Sequence, residues 1–239
     1  MNHTTVYGFA DFLAQSDMVG KAVLLALILM SIATWYLILT RTAQALLLRR
    51  RIDEFLRRFW AAPCLDAVSR EVAQADAEDP FSRLTRHSLA AAHHLSQSQA
   101  ENLADAGDPA EYLTRSMRCM IDEETARIES GLTLLASVGS TAPFVGLFGT
   151  VWGVYHALVN IGMMGQGSLE KVAGPVGEAL IMTALGLVVA VPAVLAYNAF
   201  NRSNRLLLAR LDSFAYSLYS FLTTGAHIRN AAPSAHGGD

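Results

Sequence analysis

Few side chains in this chain are placed where they could do chemistry. The small-residue faces of its long apolar stretches carry two threonines, Thr150 and Thr183, with one carboxylate near the second of them, Glu178. A hydroxyl both donates and accepts hydrogen bonds without ionising near neutral pH. A carboxylate inside a bilayer costs at least about 2.5–3.5 kcal/mol on insertion scales, so it is expected to face a bundle interior. Together these groups suit the wall of a hydrated interior. Glu178 also admits a plainer reading, a solvated residue at the membrane surface, because it stands near the end of its apolar stretch. Ser137, Ser140 and His156 offer the one serine–histidine combination near these segments. They share one helix at separations of about 24–28 Å along its axis, so no dyad forms within a subunit. There is no P-loop, HExxH or paired-carboxylate pattern. His87, His93 and His94 lack a Cys or carboxylate at ligand spacing and read as a solvated helix face. Cys64 and Cys119 are too far apart in sequence to suggest a zinc or redox motif. No enzymatic activity, metal or cofactor is expected.

The elements that would position these groups announce themselves by what they omit. From Gly131 to Leu169, 39 residues contain no Lys, Arg, Asp or Glu. Alternating steps of four and three pick out Leu132, Ala136, Gly139, Pro143, Gly146, Thr150, Gly153, Ala157 and Asn160, a smooth seam with a hydroxyl at its middle. Val138, Phe148, Trp152 and Tyr155 fall off that line as a bulky flank. The same step from Ala179 gives Thr183, Gly186, Ala190, Ala193 and Tyr197, a second seam with its own threonine. Small residues let membrane helices approach closely, and Gly149 with Gly153 forms a GxxxG pair. The alternative is a wall facing a hydrated pore. Pro143 and Pro192 free backbone carbonyls that water could meet, which suits the second reading.

Three windows, about 22–39, 131–160 and 179–200, exclude the chain's charged residues although these make up 16% of it. A helix crosses a bilayer with about 20 apolar residues, so each window is a span. Of 18 Lys and Arg, 16 lie within 41–130 and 201–239. The positive-inside rule then puts the N-terminus outside and the two soluble portions in the cytoplasm. A cleaved signal peptide does not fit a leading segment that holds Asp11 and Asp17 with only Lys21 for positive charge.

In order, the expected parts are an outer segment over 1–20, a first span over 21–41, a cytoplasmic helical domain over 42–130, a second span over 131–161, an outer turn over 162–175, a third span over 176–200, a C-terminal helix over 201–225 and a disordered tail over 226–239. The first span lacks a small-residue seam and reads as lipid-facing. Beyond it, Ile52, Phe55, Leu56 and Phe59 continue an apolar stripe among arginines that can also touch anionic headgroups. Asp79-Pro80 and Asp108-Pro109 each read as an N-cap followed by a first-turn proline. From Pro109 the pattern predicts one unbroken helix to Asn160, about 78 Å long. Leu207, Leu211, Phe214, Leu218 and Phe221 form a seam for packing against neighbouring helices.

The stretches GSTAPFVGLFGTVWG and VAGPVGEALIMTALGLVVAVPAVLAYN resemble the ExbB/TolQ branch of the MotA/TolQ/ExbB proton-channel family, nearest its ExbB members. MotA-like members have four spans, so that branch does not fit. The resemblance covers about 130–200 densely, and the three-span layout extends it over the chain. It implies an all-α protein of a Gram-negative inner membrane with a periplasmic N-terminus. Five copies would surround a pore walled by the second and third helices, with two single-span helices of an ExbD-like partner inside. The partner's aspartate would carry protons, Thr150 and Thr183 would line the route, and Glu178 would match the family glutamate. A TonB-like protein would deliver the work to outer-membrane importers of siderophores, haem or vitamin B12. Lipid is an expected partner and nucleic acid is not. A proton crossing roughly 150 mV releases about 3.5 kcal/mol, so a working stroke needs several.

Overall fold

The computed structural model describes residues 17–62, 65–74, 79–101, 109–164 and 169–224. The expected outer segment, apart from its last residues, and the expected disordered tail lie outside them. Every described element is helical: α1 (Met18–Ala61), α2 (Leu65–Gln74), α3 (Pro80–Glu101), α4 (Pro109–Glu129), α5 (Leu132–Met164) and α6 (Leu169–Thr224). Three of them, α1, α5 and α6, are long and apolar enough to cross a membrane, and this is an all-α membrane protein. The chain divides into two compact units, one built from residues up to Thr42 with Gly131–Asn201, the other from Ala43–Ser130 with the residues from Arg202 onward.

The first unit holds the apolar spans. Asp17 starts α1 as an N-cap, its Oδ1 accepting the Gly20 amide at 2.8 Å. Val23, Leu24 and Leu27 of α1 then pack with Leu135, Ala142 and Met182 among the buried residues of this unit. Leu25, Ile28, Leu29, Ile32, Trp35 and Tyr36 stay exposed. The first span thus has a packed face and an open face, although its composition is apolar all round. Lipid tails are as apolar as Leu, so composition cannot choose between those faces and shape must.

The second unit is an amphipathic-helix core. Phe214 stands at its centre, with Phe59 edge-on at 5.0 Å and Phe81 at 5.3 Å. Ile52, Leu84, Leu113, Leu211 and Leu218 close around it. The stripes expected over 52–59 and 207–221 therefore bury what their spacing implied. Asp79 caps α3 as anticipated, Oδ1 taking the Phe81 and Ser82 amides at 3.0 Å each, with Pro80 in the first helical position. Arg83 forks onto Glu124, both contacts 2.6 Å, and the Glu124 side chain is 1% exposed. That fork, opposed by partial burial, raises the arginine's pKa above its ordinary value.

One expectation is corrected. The helix from Pro109 does not run unbroken to Asn160. It ends at Glu129, Ser130 and Gly131 form a turn, and α5 begins at Leu132. Gly131 has φ +81°, a left-handed conformation that costs other residues about 1–2 kcal/mol and that commonly terminates helices at glycine. The signal was Gly131 itself, which looked like part of an apolar run. At the other end α5 continues through Gly162 to Met164, further than the expected start of the outer turn.

Candidate functional site

The site is set by how closely α5 and α6 approach. A Cβ placed on Gly146 would lie 2.6 Å from the Met182 carbonyl oxygen and 3.0 Å from the Gly186 Cα. One placed on Gly186 would lie 2.7 Å from the Ala142 carbonyl oxygen. No side chain fits at either position, so the two backbones touch there. Gly153 faces the Ala179 Cβ at 3.0 Å, and Gly139 faces Val194, so the contact continues in both directions. Gly149 points elsewhere, to Val23 of α1 as well as Met182.

One turn along from the glycine pair, the two threonines meet. Their Oγ1 atoms are 2.6 Å apart. Thr150 Oγ1 is also 2.9 Å from the Ala179 carbonyl oxygen and 3.2 Å from the Gly146 carbonyl oxygen. Carbonyls only accept, and each hydroxyl owns one proton. Both contacts are satisfied when Thr183 donates to Thr150 and Thr150 donates to a carbonyl, the shorter being that of Ala179. The reverse order would set two lone-pair oxygens against each other at 2.9 Å. Thr150 is 9% exposed, whereas Thr183 is only half-buried. As the donor to Thr150, its oxygen accepts from no described residue.

The predicted seam residues fall into two groups. Gly139, Gly146, Ala157, Ala179, Gly186, Ala190 and Ala193 are buried, and Ala136, Pro143, Gly153 and Thr183 are half-buried. Within one chain the seams are occupied in helix packing, and what is left open is their edge. Glu178 lies on α6, one residue before Ala179, and its side chain is outside those described.

A second polar contact was missed by sequence reasoning. Asp17 Oδ2 accepts the Trp152 indole N–H at 2.6 Å and lies 3.8 Å from His156 Nε2. The Trp152 and His156 rings lie 4.7 Å apart, tilted by 39°. Partial burial pushes the Asp17 carboxyl up, but the Gly20 amide, the indole and the imidazole outweigh it, leaving its pKa below the ordinary aspartate value. The contact ties the start of α1 to the bulky flank of α5. Its signals, an aspartate three residues before a glycine and a Trp-x-x-x-His spacing, are too common to have been singled out.

The MotA/TolQ/ExbB proton channel family matches residues 76–213, a range that contains both threonines and both seams. The chain is 43% identical over 213 residues to the biopolymer transport protein ExbB of Xanthomonas campestris pv. campestris strain B100, covering 88% of this chain and 84% of that one. It is 42% identical over 203 residues to the protein of the same name from Neisseria meningitidis strain Z2491, covering 85% and 91%. A Tol-Pal system protein TolQ from Pseudomonas aeruginosa strain PAO1 is 32% identical over 227 residues, covering 95% and 96%. Two close-packed small-residue helices that share a partly buried hydroxyl contact, inside the matched range, are thus found in a chain that belongs to the MotA/TolQ/ExbB proton channel family.

Proposed function

We propose that this protein is an ExbB-type, ring-forming subunit of an inner-membrane motor driven by the proton-motive force, which energises TonB-dependent import of siderophores, haem or vitamin B12. The observation that carries the mechanism is the Thr183–Thr150–Ala179 hydrogen-bond chain between the two helices. Neither hydroxyl stores a proton at neutral pH, so a carboxyl group on an ExbD-like helix within the ring supplies the carrier. When that carboxyl is protonated, Thr183 accepts its O–H. When it ionises, the Thr183 side chain rotates away from Thr150 and donates its hydroxyl proton to the carboxylate, while Thr150 keeps its bond to the Ala179 carbonyl. The pair serves both protonation states and never ionises itself.

In this reading the buried small residues, Gly139, Gly146, Ala157, Ala179, Gly186, Ala190 and Ala193, hold each wall of the ring together. The half-buried edge of Ala136, Pro143, Gly153 and Thr183 is the surface presented to the pore. Glu178 tunes proton entry from the periplasmic side. Five copies around two partner helices, with a TonB-like protein receiving the work, complete the assembly. The identity to ExbB-named relatives, 42–43%, exceeds the 32% to TolQ and supports siderophore import over a role in the Tol-Pal envelope system.

The test is complementation. The gene is expressed with its own partner genes in strains lacking ExbB or TolQ, and growth on a ferric siderophore as sole iron source is compared with detergent resistance. The wild type is expected to restore siderophore growth. Thr150→Ala and Thr183→Ala are expected to abolish it while the protein remains in the membrane, and Glu178→Ala to lower it with the oligomer intact. Full growth with both threonine variants would reduce the protein to a non-conducting scaffold, and rescue confined to detergent resistance would assign it to the Tol system.

A further inference from the structure

We propose that α1 and α6 of the second unit together hold the headgroup of one anionic phospholipid, on the side of that helix pair where Arg50 and Arg202 project. Two contacts set the geometry. Arg49 Nη2 donates to Ser203 Oγ at 3.0 Å, and Arg210 Nη2 donates to Asp53 Oδ1 at 3.2 Å. They follow in the same order along both helices, so α1 and α6 run in the same direction here. Each residue turns a helix by about 100°. Arg50 comes one residue after Arg49, and Arg202 one residue before Ser203. Both therefore project to the same side of the pair. Ile52 and Leu207 lie on the other side, within and against the core of the unit.

The charge on this side is not balanced within the chain. Arg50 and Arg202 are exposed, and neither forms an ion pair or hydrogen bond with a described residue. Arg49 spends one N–H on a neutral hydroxyl and keeps its charge. Residues 41–52 and 196–211 contain no Asp or Glu. The acids just beyond them on α1 are engaged, Asp53 by Arg210 and Glu54 by Arg58. Asp212 stands ten residues past Arg202, about 15 Å along α6. On α4, Glu129 follows the Ile128 carbonyl that accepts from Asn204 at 3.1 Å, and it forms no ion pair among the described residues. Guanidinium groups at one level repel one another, and an anion between them removes that cost. Their forked N–H groups match phosphate oxygens.

Depth selects a lipid over a soluble anion. The charge-free run of α6 from Ala179 to Asn201 is about 33 Å long, close to the roughly 30 Å of a hydrocarbon layer. Arg202 follows it directly, at headgroup level, where basic clusters beside a span attract anionic lipid. Leu46, one turn nearer the span than Arg50, is exposed and offers an acyl chain an apolar surface.

The experiment titrates the detergent-purified, assembled full-length protein with short-chain phosphatidylglycerol, followed by native mass spectrometry. Phosphatidylcholine of the same chain length is the lipid without net charge, and glycerol 3-phosphate is the soluble anion. One phosphatidylglycerol per chain is expected to bind saturably, at least about tenfold more tightly than either other probe. Arg50→Gln and Arg202→Gln should each weaken it by about tenfold. Arg118→Gln, which removes an exposed charge about 15 Å from Ile128 along α4, should leave it unchanged. The proposal is overturned if phosphatidylglycerol does not saturate, if phosphatidylcholine or glycerol 3-phosphate binds as tightly, if either Arg50→Gln or Arg202→Gln binds as the wild type does, or if Arg118→Gln weakens binding equally.

Discussion

A hydroxyl proton can go to only one acceptor at full strength, and at Thr150 that restriction orders the contact between α5 and α6. Thr150→Ser keeps the oxygen and is expected to retain siderophore-dependent growth. Thr150→Val keeps the shape but removes both contacts. It should cost about 1 kcal/mol of stability in thermal unfolding and reduce growth to the level of the deletion strain. Asp17 makes a separate prediction, on pH. Its folded pKa lies below the unfolded value of about 3.9, so the ionised form is favoured by folding and its contribution is fully present above that value. As pH falls through the lower, folded pKa the carboxylate protonates and the contribution is lost. Trp152 emission, isolated by difference against Trp152→Phe, should hold steady from neutral pH to about pH 4 and change only below it. In Asp17→Asn that acid transition should vanish. A wild-type transition near neutral pH would mean that another group controls the contact.

At the scale of the elements, the threonines meet only because Gly146 and Gly186 let two helix backbones touch. Gly146→Ala and Gly186→Ala would each push a methyl against a backbone oxygen at 2.6–2.7 Å. Backbone cannot swing aside as a side-chain tip can, so the helices must separate and the hydroxyl contact must lengthen. Both variants should lose siderophore growth and unfold at lower temperature. At Gly162, also helical, an added methyl would meet nothing within 4 Å, and Gly162→Ala should be neutral or stabilise α5 by up to about 1 kcal/mol. Equal damage at all three glycines would show that helix propensity, not close approach, explains the seam. The repeat of small residues was legible in the sequence because it follows the helical period. Which of two uses it served was not, since packing and pore lining call for the same residue sizes.

For the molecule as a whole, stability of the second unit hangs on burying Glu124 against Arg83. Removing the arginine strands the buried carboxylate, so Arg83→Ala should cost about 3 kcal/mol, lessened by the Arg127 Nη1 contact at 3.3 Å that remains. The Glu111–Arg115 pair is 66% and 79% exposed, and Glu111→Ala should cost no more than about 1 kcal/mol. Chemical denaturation of the purified protein compares the two, and similar small losses would show that Glu124 is better solvated than its burial indicates.

Charge avoidance and hydrophobic period, which depend only on residue order, were enough to determine three membrane spans and the paired seams with their threonines, and Asp79-Pro80 marked a capped helix start; Asp108 lies outside the described residues. Tertiary structure decided the rest. It broke the long helix at Gly131, where a left-handed φ is invisible in an apolar run. It gave α1 a packed face that its uniform composition could not choose. It also paired Thr150 with Thr183 and the Ala179 carbonyl, because which oxygen meets which depends on the rotation and separation of two helices far apart in sequence. Residue spacing within either helix does not encode that separation; the close approach at Gly146 and Gly186 sets it.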